Sequence, residues 1–126
     1  MSTTKIIYRV STILISLVMV YSSYSDLRSD AVEQAFVHLG FPAYFRIQLG
    51  LMKIIGIILL LAPLPDFYKE WAYSGYAVTF VSAYIAHTAS GDPISARVAP
   101  LVMLVVLLVS YFSFRRIIYT KKITNT

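Results

Sequence analysis

A single charged residue interrupts the most apolar stretch of this chain and limits what the chain can fold into. Lys53 lies within residues 50–61, where every other residue is apolar or glycine. A lysine near the middle of a bilayer costs about 2.5 kcal/mol or more unless it finds a polar partner, water or a route to the interface. Lys53 is therefore a candidate functional residue, and its neighbours in the fold are candidates with it.

The composition indicates an integral membrane protein. Hydrophobic residues account for 58% of the 126 residues and charged residues for 13%, whereas soluble domains carry about 25% charged residues. The net charge of +5 therefore indicates membrane topology and not a nucleic-acid partner. The chain has no cysteine, which excludes thiolate nucleophiles and iron–sulfur ligation. Two histidines, His38 and His87, are too few for a metal site without carboxylate ligands, so neither a metal site nor an intrinsic cofactor is predicted.

Four apolar segments have roughly the 17 to 25 residues that a spanning helix needs. They predict transmembrane helices at about 6–24, 44–62, 70–88 and 98–114. Residues 30–40 are predicted to form a short amphipathic helix in the interface, because acidic residues begin it and Gly40 ends it. The predicted fold is all-α: one membrane domain over residues 1–126, built as a transmembrane four-helix bundle with a short interfacial helix between helices 1 and 2.

The first segment has an alternative interpretation as a cleaved signal peptide, with Ser23–Ser25 as the cleavage region. The tyrosine-rich stretch Tyr21–Tyr24 suits cleavage poorly and favours a retained helix. With four spans the two termini share a side, and that side holds seven basic residues against three on the other. The positive-inside rule then predicts a multi-pass protein of the bacterial plasma (inner) membrane with both termini in the cytoplasm.

The third segment carries two stripes of residues at helical spacing. The aromatic stripe is Tyr73, Tyr76, Phe80, Tyr84 and His87, and the small-residue stripe is Gly75, Thr79, Ser82 and Ala86. One interpretation is that both stripes are packing faces, since small residues allow membrane helices to approach closely. The other is that the aromatic stripe lines a cavity that ends at His87.

Gly50 and Gly56 share the helix face of Lys53, which predicts that a neighbouring helix passes close by and that Lys53 points into the bundle. Helical side chains lean toward the helix N-terminus, so Lys53 reaches toward the outer half of the bundle, where polar residues gather. We predict a pocket there, with Lys53 as its floor and the fourth segment as an apolar wall. The predicted ligand-binding residues are Lys53, Tyr84 and His87, with Tyr21, Tyr24 and Asp92 at the mouth.

The charge of Lys53 needs a partner in this scheme. The candidate carboxylates are Asp92, Glu33 and Asp26. The alternative is a lysine that snorkels to tyrosine hydroxyls or carbonyls, with His87 as an ordinary interfacial histidine. Haem ligation by the two histidines has no supporting spacing.

A polar and aromatic motif opens the third segment. Glu70 suits the positive end of a helix dipole, and Trp71 and Tyr73 suit an aromatic belt at the interface, followed by Gly75 as a packing residue. Glu70 can also pair with a basic residue across the helix ends, namely Arg9, Arg115 or Arg116. The sequence of residues 90–93 predicts a turn in preference to a binding loop.

Several short motifs resemble the DoxX-like family of small four-helix membrane proteins. They are LGFPAY at residues 39–44, KIIG at 53–56, KEWAYSG at 69–75, and His87 with SGDP at 90–93. The resemblance covers most of the chain and implies a four-helix membrane bundle. Relatives have been linked to quinone-coupled sulfur oxidation, to oxidative-stress complexes and to receptor assembly, so the resemblance implies no single activity.

Three classes of function remain open. The leading hypothesis is a non-catalytic protein that binds a quinone or lipid, or serves as an accessory subunit whose partners are the bilayer and another membrane protein or a second copy of the chain. The second is a quinone-linked oxidoreductase subunit in which Lys53, Tyr84 and His87 bind the headgroup. The third is a small transporter or proton path through Lys53 and His87, although the chain lacks the repeats typical of transporters.

Overall fold

In a computed structural model that describes residues 2–124, the chain forms five α-helices. They are α1 (Thr3–Arg28), α2 (Asp30–Leu39), α3 (Ala43–Leu61), α4 (Asp66–Ala89) and α5 (Ile94–Thr124). The described residues contain no strand, so the all-α prediction is confirmed. α1, α4 and α5 are longer than predicted, because limits drawn from the apolar core of a bilayer omit the turns that continue into polar surroundings.

Capping interactions set most of the helix ends. Ser29 ends α1 and begins α2, where its hydroxyl accepts a hydrogen bond from a backbone N–H of the first turn. α2 ends at Gly40 and α4 is followed by Gly91, with φ angles of 86° and 73° that residues with a Cβ rarely adopt. The Lys69 ammonium donates to the carbonyl of Leu60 at 2.7 Å, which satisfies a free carbonyl at the end of α3.

The four long helices pack side by side in a ring. α1 contacts α3 and α5, and α4 contacts the same two helices. Adjacent helices run antiparallel, because short turns join α3 to α4 and α4 to α5 and because the start of α1 lies beside the end of α5. The start of α1, the α3–α4 turn and the end of α5 therefore share one end of the bundle, here called the terminal end. α2 and the α4–α5 turn lie at the opposite end, here called the α2 end.

The outer surface is that of a membrane protein. Large apolar side chains such as Leu17, Ile85 and Val105 are exposed along the helices, which water does not favour over so large an area. α1, α3 and α5 are long and apolar enough to cross a membrane. α4 has 24 residues, a sufficient length, but its polar residues keep it out of that group. The prediction of four apolar spans is thus supported by composition for three helices.

A layer of buried apolar side chains crosses the centre of the ring. Its fully buried members are Ile15, Met19, Leu60 and Leu107. Along α1, the two members of this layer lie between Thr12, which faces the terminal half, and Ser22, which faces the α2 half. The layer therefore separates the polar groups of one half of the bundle from those of the other.

Candidate functional site

Lys53 forms a buried ion pair with Asp26 of α1. Its ammonium nitrogen lies 2.6 Å from Asp26 Oδ2 and donates a second hydrogen bond to the hydroxyl of Ser22 at 2.8 Å. The side chains of Lys53 and Asp26 are 11% and 5% exposed. Burial of a charge is tolerable when the opposite charge and a hydrogen-bonding group are both in contact with it, and here both come from one face of α1.

Of the three carboxylates named from the sequence, the structure thus places Asp26 on Lys53. The prediction that the first helix ends near residue 24 placed Asp26 in a loop, so the sequence left it as one of three candidates. α1 in fact continues to Arg28, and the spacing of four residues puts Ser22 and Asp26 on the same face. That spacing is the signal in the sequence that identifies both residues as partners of one site.

Gly50 explains how α3 comes close enough to α1 for this pairing. A Cβ built on Gly50 would lie 3.0 Å from the Leu27 side chain and 3.2 Å from Asp26 Cβ, so a larger residue would push the helices apart. The backbone carbonyl of Asp26 also accepts a hydrogen bond from the Arg46 guanidinium. Gly50 and Arg46 together fix the last turns of α1 against α3.

Gly56 makes room for a tyrosine on the other side of Lys53. A Cβ on Gly56 would lie 2.7 Å from the ring of Tyr76, a distance that real Cβ contacts do not show. The Tyr76 hydroxyl donates to the backbone carbonyl of Lys53 at 2.7 Å. α4 is therefore held against α3 within one turn of the ion pair.

A cavity of about 680 Å³ lies above the ion pair, toward the α2 end. It is here called the chamber. Its lining residues are Ser22, Asp26, Phe36, Leu39, Phe41, Phe45, Gln48, Leu49, Met52, Lys53, Ser74, Gly75, Val78, Thr79, Ser82, Ala83, Ala86 and His87. A largely apolar pocket of this size with a few convergent polar groups is typical of a small-molecule site.

The structure places Lys53 and His87 in the lining of the same chamber. It differs from the prediction that the aromatic stripe of α4 lines the cavity. The small-residue stripe lines the chamber, and its short side chains create the space. The aromatic stripe packs in the core instead: Tyr73, Tyr76 and Phe80 are buried against neighbouring helices. Tyr84 is half-buried and does not line the chamber. Bulky rings fill the interior because they bury the most apolar area there.

Two further expectations about the pocket are wrong. Tyr21 and Tyr24 are 74% and 66% exposed and are not among the residues that line the chamber. α5 contributes no residue to the lining; the apolar wall comes from α2 and the segment that follows it, through Phe36, Leu39 and Phe41. Helical periodicity indicates which residues share a face, but it does not indicate toward which neighbour that face turns.

Asp92 joins the two histidines at the α2 end. Its two carboxylate oxygens accept hydrogen bonds from His38 Nε2 at 2.8 Å and His87 Nδ1 at 2.6 Å. These hydrogen bonds, first that of His87 and then that of His38, hold the pKa of the Asp92 carboxyl below its usual value. The arrangement ties the end of α2, which forms the chamber wall, to the turn after α4. Within residues 2–124 no group of three His, Cys, Asp or Glu side chains is arranged to hold a metal ion.

A second polar cluster lies in the terminal half, beyond the apolar layer. The Ser110 hydroxyl lies 2.7 Å from both Thr12 Oγ1 and the Tyr73 hydroxyl, so one fully buried serine joins α1, α4 and α5. Tyr73 is therefore a core residue and does not belong to the interfacial belt predicted for it, whereas Trp71 is exposed on the surface of the bundle.

The predicted pairing of Glu70 involves one of its three candidates. Arg115 of α5 donates to Glu70 at 3.0 Å across the helix ends. Gly75, placed with this motif as a packing residue, has nothing within 4 Å of a Cβ built on it and faces the chamber. It therefore opens space and does not serve a close helix contact.

Comparison with known protein families assigns the chain to one of them. A family model described as the DoxX-like family matches residues 10–110. The chain belongs to the DoxX-like family. The matched range contains Lys53, Asp26, the chamber and the histidine pair on Asp92, so the site lies within the part of the chain shared with DoxX-like proteins.

The other two comparisons give this DoxX-like protein no named relative. No curated protein and no solved structure matches the chain. The family membership therefore establishes the class of protein, and the chemistry of the site has to be argued from its residues.

Proposed function

We propose that this protein binds a small amphiphilic molecule in the chamber and is not itself a catalyst. The observation that carries the proposal is the buried Lys53–Asp26 pair at the floor of a cavity of about 680 Å³. The lining divides between hydrogen-bonding side chains, such as Ser22 and Lys53, and aromatic and aliphatic ones, such as Phe36. Such a division suits a molecule with a polar headgroup and an apolar remainder.

The same proposal includes four membrane crossings, with α4 as the fourth. α4 is long enough to cross and packs between α3 and α5, which are apolar enough to cross by themselves. Its polar residues Ser74, Ser82 and His87 line the chamber, an arrangement that membrane helices tolerate. Seven basic residues gather at the terminal end and three at the α2 end, which supports termini in the cytoplasm of a bacterial plasma membrane and a chamber near the outer face.

A quinone-linked oxidoreductase subunit is the second candidate. It is favoured by the presence of Lys53, Ser22 and His87 in one chamber, since their N–H and O–H groups can donate to carbonyl oxygens. Electron transfer would then require a redox partner, and the protein would act as an accessory subunit. A proton path is less well supported, because fully buried apolar side chains separate the two polar clusters.

Retention of ligand during purification tests the proposal. The variant Ala86→Leu places a large side chain in the chamber, whereas Ala89→Leu changes an exposed residue of the same helix that does not line the chamber. Wild type and Ala89→Leu are expected to retain about one small amphiphile per chain in mild detergent, as measured by mass spectrometry of extracts, in keeping with a single pocket. Ala86→Leu is expected to lose it.

The identity of the retained molecule separates the candidate roles. A quinone among the extracted molecules favours the oxidoreductase subunit, and a stoichiometric protein partner favours the accessory role. Equal retention by all three proteins would contradict ligand binding in the chamber. So would a wild-type protein that neither retains an amphiphile nor binds one that is added.

A further inference from the structure

The chamber continues into a narrow apolar opening between α3 and α4, here called the fissure. The fissure has a volume of about 240 Å³. Its lining residues are Leu49, Met52, Lys53, Ile55, Gly56, Leu59, Trp71, Ala72, Gly75, Tyr76 and Thr79. Five of them, Leu49, Met52, Lys53, Gly75 and Thr79, also line the chamber, so the two spaces adjoin at these residues.

The fissure opens sideways to the bilayer. Its outer rim is formed by Met52, Ile55 and Trp71, which are 56%, 55% and 61% exposed. On its inner side the contact between Gly56 and the Tyr76 ring closes the helix interface. A molecule can therefore pass between lipid and chamber without crossing the packed core.

The fissure and the chamber lie at different depths. The fissure extends along α3 from Leu49 to Leu59 and reaches Trp71 near the start of α4, so it continues beyond the chamber toward the terminal end. The chamber extends the other way, to α2 and His87. A lipid in the leaflet at the α2 end is oriented to match these two spaces. Its headgroup lies at the depth of the chamber, and its acyl chain points toward the middle of the membrane.

Each ionisable residue that lines the chamber already contacts a polar partner. Lys53 is paired with Asp26, and His87 is bonded to Asp92. The remaining polar lining residues are uncharged, namely Ser22, Gln48, Ser74, Thr79 and Ser82. A charged headgroup would have to be buried without an opposite charge left to bind it, which is costly, whereas an uncharged headgroup can exchange hydrogen bonds with these side chains.

We infer, building on the proposed function, that the ligand is a single-chain amphiphile with an uncharged hydrogen-bonding headgroup. It enters from the bilayer between α3 and α4, and its chain remains in the fissure beside Trp71 while its headgroup occupies the chamber. A second chain would not fit, because the fissure has a volume of only about 240 Å³ and is closed behind by Tyr76.

Trp71 is the only tryptophan in the chain, so its fluorescence reports on the fissure directly. The probe is a monoacylglycerol with a dibrominated stearoyl chain, added to the full-length protein in phosphatidylcholine nanodiscs, since bromine quenches tryptophan on contact. The expected result is quenching that saturates and that unlabelled monoacylglycerol reverses. Dibrominated stearate, which is anionic, is expected to bind at least about tenfold more weakly because of its unmatched charge. Dibrominated phosphatidylcholine is expected to give only non-saturating quenching.

Leucine at two positions of α4 provides the matched comparison. Ala89 lines neither the chamber nor the fissure, so Ala89→Leu is expected to fold and to bind the probe as wild type does. Gly75→Leu fills the junction of chamber and fissure and is expected to weaken binding by at least about tenfold, as for a blocked pocket. Circular dichroism of both variants shows whether the helices are retained.

Quenching that never saturates, or that Gly75→Leu leaves unchanged, would show that the fissure does not bind the acyl chain of the ligand. Equal affinity for the anionic probe would overturn the assignment of an uncharged headgroup. The two proposals can fail separately. If Ala86→Leu abolishes ligand retention but no probe quenches Trp71, the chamber binds ligand and the fissure does not. If neither effect is seen, both proposals are wrong.

Discussion

Removal of Asp26 should leave Lys53 as an unmatched charge inside the bundle. At 2.6 Å between Lys53 Nζ and Asp26 Oδ2, the attraction is about 6 kcal/mol for an effective dielectric constant of about 20. Part of that attraction only offsets the cost of burying the charged carboxylate. The uncharged amide of Asp26→Asn does not have that cost. The free energy of unfolding is therefore expected to fall by about 3 kcal/mol, within the range for one partner lost from a buried pair.

A second estimate of this loss in the free energy of unfolding uses the cost of placing a lysine in a membrane. An unpaired lysine at the centre of a spanning helix costs about 2.5 to 3.5 kcal/mol, and in Asp26→Asn only uncharged oxygens, those of Ser22 and of the new amide, remain to bind it. Lys53→Met removes the charge but leaves Asp26 unmatched, so a similar loss is expected. The double variant Asp26→Asn/Lys53→Met has no unmatched charge and is expected to lose less than about half of the sum of the two single losses, because the residues are coupled.

Unfolding in mixed micelles, followed by the loss of helical circular dichroism as sodium dodecyl sulfate is added, measures all four proteins under one condition. Tyr21→Phe, on the exposed face of α1, is the control and is expected to match wild type within about 0.5 kcal/mol. A single-variant loss below about 1 kcal/mol, the level of exposed ion pairs, would refute the claim that the pair is buried. Strict additivity of the two single losses would refute their coupling.

Three other perturbations have expected outcomes. Gly56→Ala should lower the free energy of unfolding by about 1 to 3 kcal/mol, because the new methyl group overlaps the tyrosine ring packed on it; Gly75→Ala, where the space is open, should change it by less than about 1 kcal/mol, and equal losses would contradict the packing. Ser110→Ala should cost about 1 to 3 kcal/mol in the same assay, since two buried hydroxyls lose their shared partner; a neutral result would mean that water replaces it. The folded-state pKa of Asp92 is lowered by its two histidines, so its contribution to holding α2 is complete above the ordinary aspartate pKa and is lost as the pH falls through the lowered value. Hydrogen exchange of α2 should accelerate in that acidic range for wild type, whereas Asp92→Asn should exchange quickly throughout; identical pH profiles would remove the role of Asp92.

Local patterns in the sequence were sufficient to predict the helices and to identify Lys53 as a residue that needs a partner. The apolar segments, the glycines after α2 and α4 and the prolines between helices are short-range signals that act within a few residues. The intrusion of Lys53 into an apolar run is equally local, because the cost of an isolated charge in a membrane does not depend on the rest of the fold. Family membership over residues 10–110 agrees with the motifs that the sequence displays.

The choice among partners was decided only by the tertiary structure. Asp26, Glu33 and Asp92 were all candidates for Lys53, and the extension of α1 by one turn brought Asp26 to it while Asp92 lies with the histidines. The rotation of α4 turned its small residues toward the chamber and its aromatic residues into the core.

The sequence by itself therefore determined that this is a helical membrane protein of the DoxX-like family with a lysine in need of a partner. The tertiary structure decided which face of each helix meets which neighbour, and with it the Lys53–Asp26 pair, the contribution of α2 to the chamber wall and the outward position of Tyr21 and Tyr24. The physical reason is that helical periodicity fixes the relative positions of side chains within one helix. The rotation and separation of two helices depend on contacts between residues far apart in the chain, such as Gly50 against Asp26.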